Sequence, residues 1–415
     1  MTQRQIIVVG GGLAGLTAAA VAARAGAEVT LLEARTNAGG RARSELRASS
    51  AIFNEGPHAL YAGFAGWNEL DALGIAPTGG RPALHAYGRW RGRIDRLPGT
   101  NLDAVRTRLV GLRAKADLAK LLANPARALR GDLSGSLADW IDRATKDASA
   151  RALLAMIGRT ATYMPDPTRI AAEASVPQIV GAIVDGVRYL DGGWQQLVDA
   201  LRATAESAGT KVEVDEKVTG LHRDGARWTI TTSTRTYGAD SAIIAVGGPR
   251  AVATLLGEHS PSARSWSDSI VPVPMASLDL HVASIPVPAR RACFALDAPI
   301  YFSAHTPAAR LATNGDVVHV AWYGEHDDAT ESTLEAFCDE VQPGWRERVL
   351  DRRFGRRLVT THGVPTPESG FAGRPGPGVP DCPGVFVAGD WVGPRGLLAD
   401  AAIASGADAA RMATT

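Results

Sequence analysis

The chain has 415 residues, which at about 150 residues per domain points to two or three domains and excludes small disulfide scaffolds and isolated binding modules. A composition of 45% hydrophobic and 21% charged residues is that of an ordinary folded protein, and 44 basic against 43 acidic side chains leave a net charge of +1. No global field therefore draws nucleic acid, which is not expected as a partner, and an anionic membrane would need a local patch.

The run from Ile6 to Ala23 has Thr17 as its only polar side chain, and its 18 residues reach the lower length of a membrane span. Four glycines, the lack of a charged leader and cleavage pattern, and a charged amphipathic continuation favour a buried strand and helix, and a cytoplasmic protein is expected. Ile6 to Val9 is a β-branched run, Gly10-Gly11-Gly12-Leu13-Ala14-Gly15 follows, and Leu16 to Ala25 is an Ala-rich helical stretch stopped by Gly26. Glu28 to Leu32 reads as a second buried strand leading to Glu33, 18 residues past Gly15, which completes a βαβ unit. In such a turn Gly10 permits the sharp reversal, Gly12 lets backbone approach a pyrophosphate, and Gly15 lets helix and strand pack closely. The diphosphate then lies at the helix N-terminus beside Leu13 and Ala14, where unpaired N–H groups and the dipole favour negative charge. Glu33 is placed to accept hydrogen bonds from ribose hydroxyls and would repel a 2′-phosphate, which argues against NADP.

The segment Ala34-Arg35-Thr36-Asn37-Ala38-Gly39-Gly40-Arg41-Ala42-Arg43-Ser44 resembles the flavin amine oxidase superfamily, which includes monoamine oxidases, protoporphyrinogen oxidases and phytoene desaturases. The resemblance implies FAD, with this GGRxxS/T element serving its diphosphate, so that Ala34, Arg35, Gly39, Gly40, Arg41, Ala42 and Arg43 border the cofactor. It resumes at Phe53-Asn54-Glu55-Gly56-Pro57-His58-Ala59-Leu60-Tyr61, similar to the FDxGxH stretch beside the isoalloxazine in desaturase-like members, with Asn54 replacing the usual acid. Gly56, Pro57 and His58 are thereby placed at the flavin. His58 is the candidate catalytic residue, orienting substrate or flavin, against the alternative of a satisfied, partly buried histidine.

Tyr189-Leu190-Asp191-Gly192-Gly193-Trp194 precedes a helix reaching Ala208, and Lys211 to Val218 reads as one alternating strand. The resemblance gives Val218 a backbone contact to adenine; as a residue it also reads as core. Trp228 to Thr232, a turn near Gly238, and Ile243 to Val246 suit a β-rich appendage returning to a buried strand. Val385 to Val387 then runs through Ala388 into Gly389-Asp390, and Leu397 to Met412 reads as an Ala-rich helix. In the family the GD carboxylate binds the ribityl chain, and the following helix, here opened by Gly396, Leu397 and Leu398, aims its N-terminus at flavin N1 and C2=O. Charge arriving on that edge with a hydride is stabilised by the helix dipole. Asp390 is on this reading a cofactor ligand, not a base.

The expected architecture is α/β, a Rossmann-like FAD-binding domain of the GR2 type interleaved with an α+β substrate-binding domain. The FAD-binding domain takes residues 1–65, 186–250 and 355–415, and the substrate-binding domain takes 66–185 and 251–354. The latter is expected as a mixed sheet with helices on one side, with strands at Met275 to His281 and Val317 to Trp322 and helices over 101–160. Tyr163-Met164-Pro165-Asp166-Pro167 resembles the Tyr-x-x-x-Pro element near the substrate channel of desaturase-like members. Met275, Tyr301, Phe302, Trp322 and Tyr323 line an apolar pocket or simply fill the core.

Two absences shape the functional reading. Amine oxidases of the superfamily use a lysine from the second excursion, held through water to flavin N5, and here no lysine follows Lys217. The cysteinyl flavin of monoamine oxidases has no counterpart either, because Thr361, His362 and Gly363 stand about 28 residues before Gly389, so FAD is expected to be non-covalent. Cys293, Cys338 and Cys382 lie far apart with no ligand-spaced partner, so they read as reduced thiols and no metal is expected.

Residues 101–130 carry seven basic side chains against Asp103 and Asp117, a local charge of +5, with Leu109, Val110, Leu112, Leu118, Leu121 and Leu122 interleaved. The segment is either a solvated helical pair or a weak peripheral contact with an anionic membrane surface. The leading expectation is an FAD-dependent oxidoreductase that takes a hydride from a substrate C–H and dehydrogenates a mostly apolar small molecule. The alternatives are a flavin amine oxidase and, in another class, a redox-neutral FAD-containing isomerase or flavin-stabilised binding protein.

Overall fold

The computed structural model describes residues 3–56, 59–82, 85–99 and 101–415. Strand β1 (Gln5–Val9) buries four of its five residues, as a strand must when both faces of its sheet are covered. It pairs in parallel with strand β2 (Glu28–Leu32) on one side and with Ser241–Ile244 on the other. Lys211–Glu213 extends the sheet beyond β2, and Val385–Val387 closes the far edge, again in parallel.

Helix α1 (Leu13–Arg24) follows β1 through the glycine turn and lies on one face with Gln195–Ser207 and Leu398–Thr414. Its approach to the sheet depends on Gly15, where an added Cβ would stand 1.9 Å from the Gly10 carbonyl oxygen. The C-terminal helix approaches α1 as closely, since a Cβ at Gly406 would meet the Ala14 carbonyl at 2.3 Å. The other face is covered by an antiparallel meander (Val218–Asp224, Arg227–Thr232, Thr236–Ala239) and by the helices Pro249–Leu256 and Pro261–Ser269.

A second, seven-stranded sheet runs in the order Val349–Thr361, Val273–Val282, Asp316–Tyr323, Ile300–Ala304, Ala292–Ala295, Tyr87–Trp90, Arg93–Arg96. Period-two alternation sorts its side chains. Met275, Tyr301, Ala321 and Tyr323 face a helical layer that includes Ala148–Thr162 and Ala172–Val184, while Ala276, Phe302 and Trp322 face the helix Glu331–Val341. Helices therefore cover both faces, not one.

Several boundaries differ from the sequence reading. The strand expected over 211–218 stops at Glu213, because Asp215 turns left-handed at φ +59° and Val218 opens a strand in the meander. The meander's turn falls at 233–235, leaving Gly238 inside a strand. The partition at 355 cuts a strand, since Gly355 pairs with Ser277 and Thr361 with Val273 in the seven-stranded sheet. Helix α2 (Ala65–Ala72) and the residues after it put Leu70, Leu73 and Ile75 into the core of the parallel sheet, and Val252, Leu256 and Ala263 do the same on its other face. Residues just past 65 and 250 thus pack back on the parallel sheet.

Gly15→Ala is expected to cost roughly 1–3 kcal/mol by overpacking, seen as a lower denaturant midpoint. Gly12→Ala, where a Cβ meets nothing within 4 Å, is expected to keep the stability of the unaltered apoprotein.

Candidate functional site

A cavity of about 940 Å³ opens at the carboxyl ends of the parallel strands, where open α/β sheets place their ligands. Of the residues singled out above, Gly10, Gly12, Leu13, Ala14, Glu33, Ala34, Arg35, Gly39, Gly40, Arg41, Ala42, Val218, Gly389, Asp390 and Leu398 line it. Gly15, Arg43, Gly56, Gly396 and Leu397 stand behind that lining. Gly15 and Gly56 serve close backbone packing, a Cβ at Gly56 lying 2.4 Å from the Arg41 carbonyl oxygen. Arg43 pairs with the cavity-lining Glu55 at 2.6 Å. Pro57 and His58 lie outside the described residues.

The Glu33 carboxylate is oriented by backbone. Gly11 N–H donates to Oε2 at 2.7 Å and Arg35 N–H to Oε1 at 2.9 Å. Each oxygen keeps a second lone pair for another donor. Gly11 was not singled out from the sequence, since its contribution is an amide and not a side chain.

Deeper in the cavity Arg41 donates to Asp390 Oδ2 at 2.9 Å and to the Thr360 carbonyl at 2.8 Å, and His362 Nδ1 lies 3.2 Å from Asp390 Oδ1. The Arg41 guanidinium, expected at a phosphate, is thus anchored to the GD carboxylate. Burial alone would push the Asp390 carboxyl up, but the Arg41 charge and the His362 hydrogen bond outweigh it and hold the group well below the usual carboxylate range. His362 is a site residue that the sequence reading used only to discount a cysteine. No local pattern marks it, because its partners are 28 and 321 residues away.

At the start of the C-terminal helix, Asp400 is buried and accepts a hydrogen bond from Gly66 N–H at the first turn of α2. A Cβ at Gly396 would stand 1.8 Å from its Oδ2, and one at Gly66 2.8 Å from its Oδ1, so both glycines make room for this carboxyl. Gly396, read as a cofactor contact, has this packing role, and Leu397 is buried among side chains of the helical layer. Burial pushes the Asp400 carboxyl up to about 6.

Beyond the cavity-lining Tyr61, which donates to the Ala161 carbonyl at 3.0 Å, lies an aromatic wall. Tyr163 meets Tyr323 edge-on at 5.5 Å, Tyr323 stacks on Tyr301 at 5.1 Å, and Tyr301 leans on His319 at 5.7 Å. Desolvation raises the Tyr61, Tyr301 and Tyr323 phenols, and desolvation with the neighbouring His319 lowers His305 to about 3, so these groups stay neutral. Of the five residues read as pocket or core, Met275, Tyr301 and Tyr323 join this wall, while Phe302 and Trp322 point to the opposite side of their sheet. None borders the open cavity.

A parallel sheet with a glycine turn, an acid at the end of its second strand and a cavity bordered by the long strand of a second sheet is the architecture of a dinucleotide-binding protein. The sequence profile of the family described as "Flavin containing amine oxidoreductase" matches residues 13–413, and the chain belongs to that family. Among curated proteins it is 27% identical over 289 residues to a Mycobacterium tuberculosis protein with the provisional name flavin-containing monoamine oxidase AofH, covering 63% of this chain and 62% of that one. It is 30% identical over 271 residues to the hydroxyneurosporene desaturase of Cereibacter sphaeroides, covering 54% and 52%. The match thus spans less than two thirds of each relative's length. In fold it is similar to an oxidoreductase from Methanosarcina mazei, with a TM-score of 0.78 at 18% identity over 97% of this chain and 98% of the other.

Asp400→Asn tests the buried carboxyl. Its proton is held to about pH 6 in the folded chain and lost near ~3.9 in an unfolded one. The native carboxyl therefore loses stability as pH rises between those values, by roughly 3 kcal/mol at most. Asn keeps the acceptor for Gly66, so the variant is expected to gain on the unaltered protein across that window when melting temperatures are compared from pH 4 to pH 7.

Proposed function

We propose that this chain binds FAD non-covalently along the cavity and dehydrogenates a mostly apolar small molecule by taking a hydride from a substrate C–H. The observation that carries the reading is the wall of neutral phenols beyond Tyr61, backed by the Arg159 guanidinium at 5.9 Å from the Tyr323 ring, in a chain with no lysine after Lys217. The residues present suit the cofactor. The glycine turn leaves backbone room, and the cavity-lining indoles of Trp194 and Trp391 hold N–H groups with no protein partner. None of the three cysteines lines the cavity, which supports a non-covalent flavin.

In this reading the amides opening α1 and the backbone of Gly10 to Ala14 hold the diphosphate. Glu33 accepts the ribose hydroxyls, and Asp390, kept ionised by Arg41 and His362, accepts from the ribityl chain. Val218 meets adenine through its main chain. Bound there, FAD supplies the hydride acceptor at N5. The amides opening the C-terminal helix stabilise the negative charge that then develops, and the cavity-lining Tyr61, backed by the aromatic wall, presents a neutral ring to the substrate. His58 is assigned to orienting substrate or flavin.

Anaerobic visible spectra test the reading, with pools of apolar polyenes or porphyrinogens and of amines added separately. Bleaching of the flavin band by the first pool alone is expected. Bleaching by amines alone would establish amine oxidation, the activity in the name of the mycobacterial relative, and a band that neither pool bleaches would leave the redox-neutral reading. Acid denaturation is expected to release all yellow colour into the supernatant; colour retained in the pellet would show a covalent flavin. Glu33→Ala and Asp390→Ala are each expected to lower the flavin-to-protein absorbance ratio, while His58→Ala slows turnover with the ratio unchanged.

A further inference from the structure

The basic segment is built from helices α3 (Asn101–Arg106), α4 (Leu112–Ala123) and α5 (Pro125–Ala128). Its inner face is ordinary core: Leu109, Val110, Ala114 and Leu118 are buried in the same cluster as Tyr61, Tyr163 and Tyr323. The outer face is not ordinary surface. Leu102 is 54% exposed, Val105 74% and Leu112 86%. On α4 the outward residues Leu112, Ala116, Ala119 and Ala123 are all exposed, and their i, i+4, i+7, i+11 spacing puts them on one face. A helix that is apolar inside and again along its outer stripe has a second nonaqueous neighbour to satisfy. Among the described residues, four of the ten large hydrophobic side chains that stand exposed fall between Leu102 and Leu129, so this is a patch and not scatter.

The charges around the patch are sorted by sign. Arg106, Arg108, Arg113, Lys120, Arg127 and Arg130 are exposed. The two acids of the segment are turned to internal partners. Asp103 is buried and held by Arg96 at 3.0 Å and His85 at 2.8 Å, while Asp117 accepts from Thr145 Oγ1 at 2.8 Å and lies 3.9 Å from Lys120 Nζ at the helix surface. What faces outward in this segment is therefore apolar side chains ringed by an excess of cations, with Asp117 the one partly exposed acid among them. Among the described residues no helix is long and apolar enough to cross a membrane.

We propose that the outer face of residues 101–130 is a docking surface for an anionic lipid bilayer, with Leu102, Val105 and Leu112 entering the headgroup boundary and the surrounding arginines and lysines held by acidic headgroups. Charge complementarity selects this occupant over a second copy of the chain, whose identical patch would bring like charges together. The surface does not depend on which substrate the flavin oxidises, and its test does not measure turnover.

Sedimentation of the flavin-loaded protein with vesicles, of phosphatidylcholine alone and of phosphatidylcholine mixed with phosphatidylglycerol, tests the surface. Binding to the mixed vesicles only, weakening with added salt, is expected. Arg113→Ala with Lys120→Ala is expected to weaken it about thirtyfold, from roughly 1 kcal/mol per basic side chain at an anionic surface. Val105→Glu with Leu112→Glu is expected to abolish it, and because both side chains are exposed the melting temperature and flavin spectrum should not change. Equal binding to both vesicle types, no binding, or binding unaffected by either pair would overturn the proposal. So would a dimer in solution that Val105→Glu with Leu112→Glu dissociates, which would assign the patch to a second copy.

Discussion

A buried carboxylate with a guanidinium brought to it across 349 residues of chain organises this molecule. Asp390 is 2% exposed, and a charge so placed is tolerable only if it is paired and hydrogen-bonded. Arg41 and His362 meet that need, and in doing so they bring the turn after β2, the end of the long strand Val349–Thr361 and the turn after Val385–Val387 into one corner. The cavity is the space these loops enclose with the glycine turn. Its polar end is thus fixed by an interaction within the chain itself.

What was legible in the sequence was whatever could be explained locally. β1, the glycine turn, α1 and β2 follow from a β-branched run, a spacing of glycines and an alanine-rich stretch, and Glu33 follows from its place at a strand end. The GD turn and the helix after it were legible on the same grounds. Asp400 was not, because its partner amide belongs to Gly66, 334 residues away. Domain borders failed for a related reason. A motif marks where a ligand is touched, whereas a border lies where apolar faces finish packing, and Leu70, Val252 and Leu358 carry no mark of which sheet they serve. The aromatic residues were half legible. Their strand spacing was visible, but which of Tyr301 and Phe302 faces the cofactor side depends on the sheet's orientation.

The aromatic wall and the missing lysine are two sides of one electrostatic choice. In the wall, burial keeps the phenols of Tyr301 and Tyr323 neutral, and the Arg159 guanidinium packed at 5.9 Å from the Tyr323 ring is turned to the Ala295 and Ala298 carbonyls. Selectivity in such a site rests on shape and aromatic contact, with hydroxyls aimed at protein carbonyls and hydroxyls, as from Tyr61 to Ala161 and Tyr323 to Thr160. The exposed positive charge of residues 101–130 is carried on the far side of the same helical layer.

The order of strands in the parallel sheet also sets when it can form. β1 and β2 leave the ribosome first, but the strand that closes the sheet's far edge is Val385–Val387, about 350 residues later. At ordinary elongation rates that interval is roughly 20–70 s. Throughout it Ser241–Ile244, once made, presents an open apolar edge, and α1 lacks the helix that packs against it through Gly406. The seven-stranded sheet, whose strands run from Tyr87 to Thr361, is complete before the sheet that began first. The strands of the second-begun layer are therefore all synthesised before the last strand and helix that cover the opening βαβ unit.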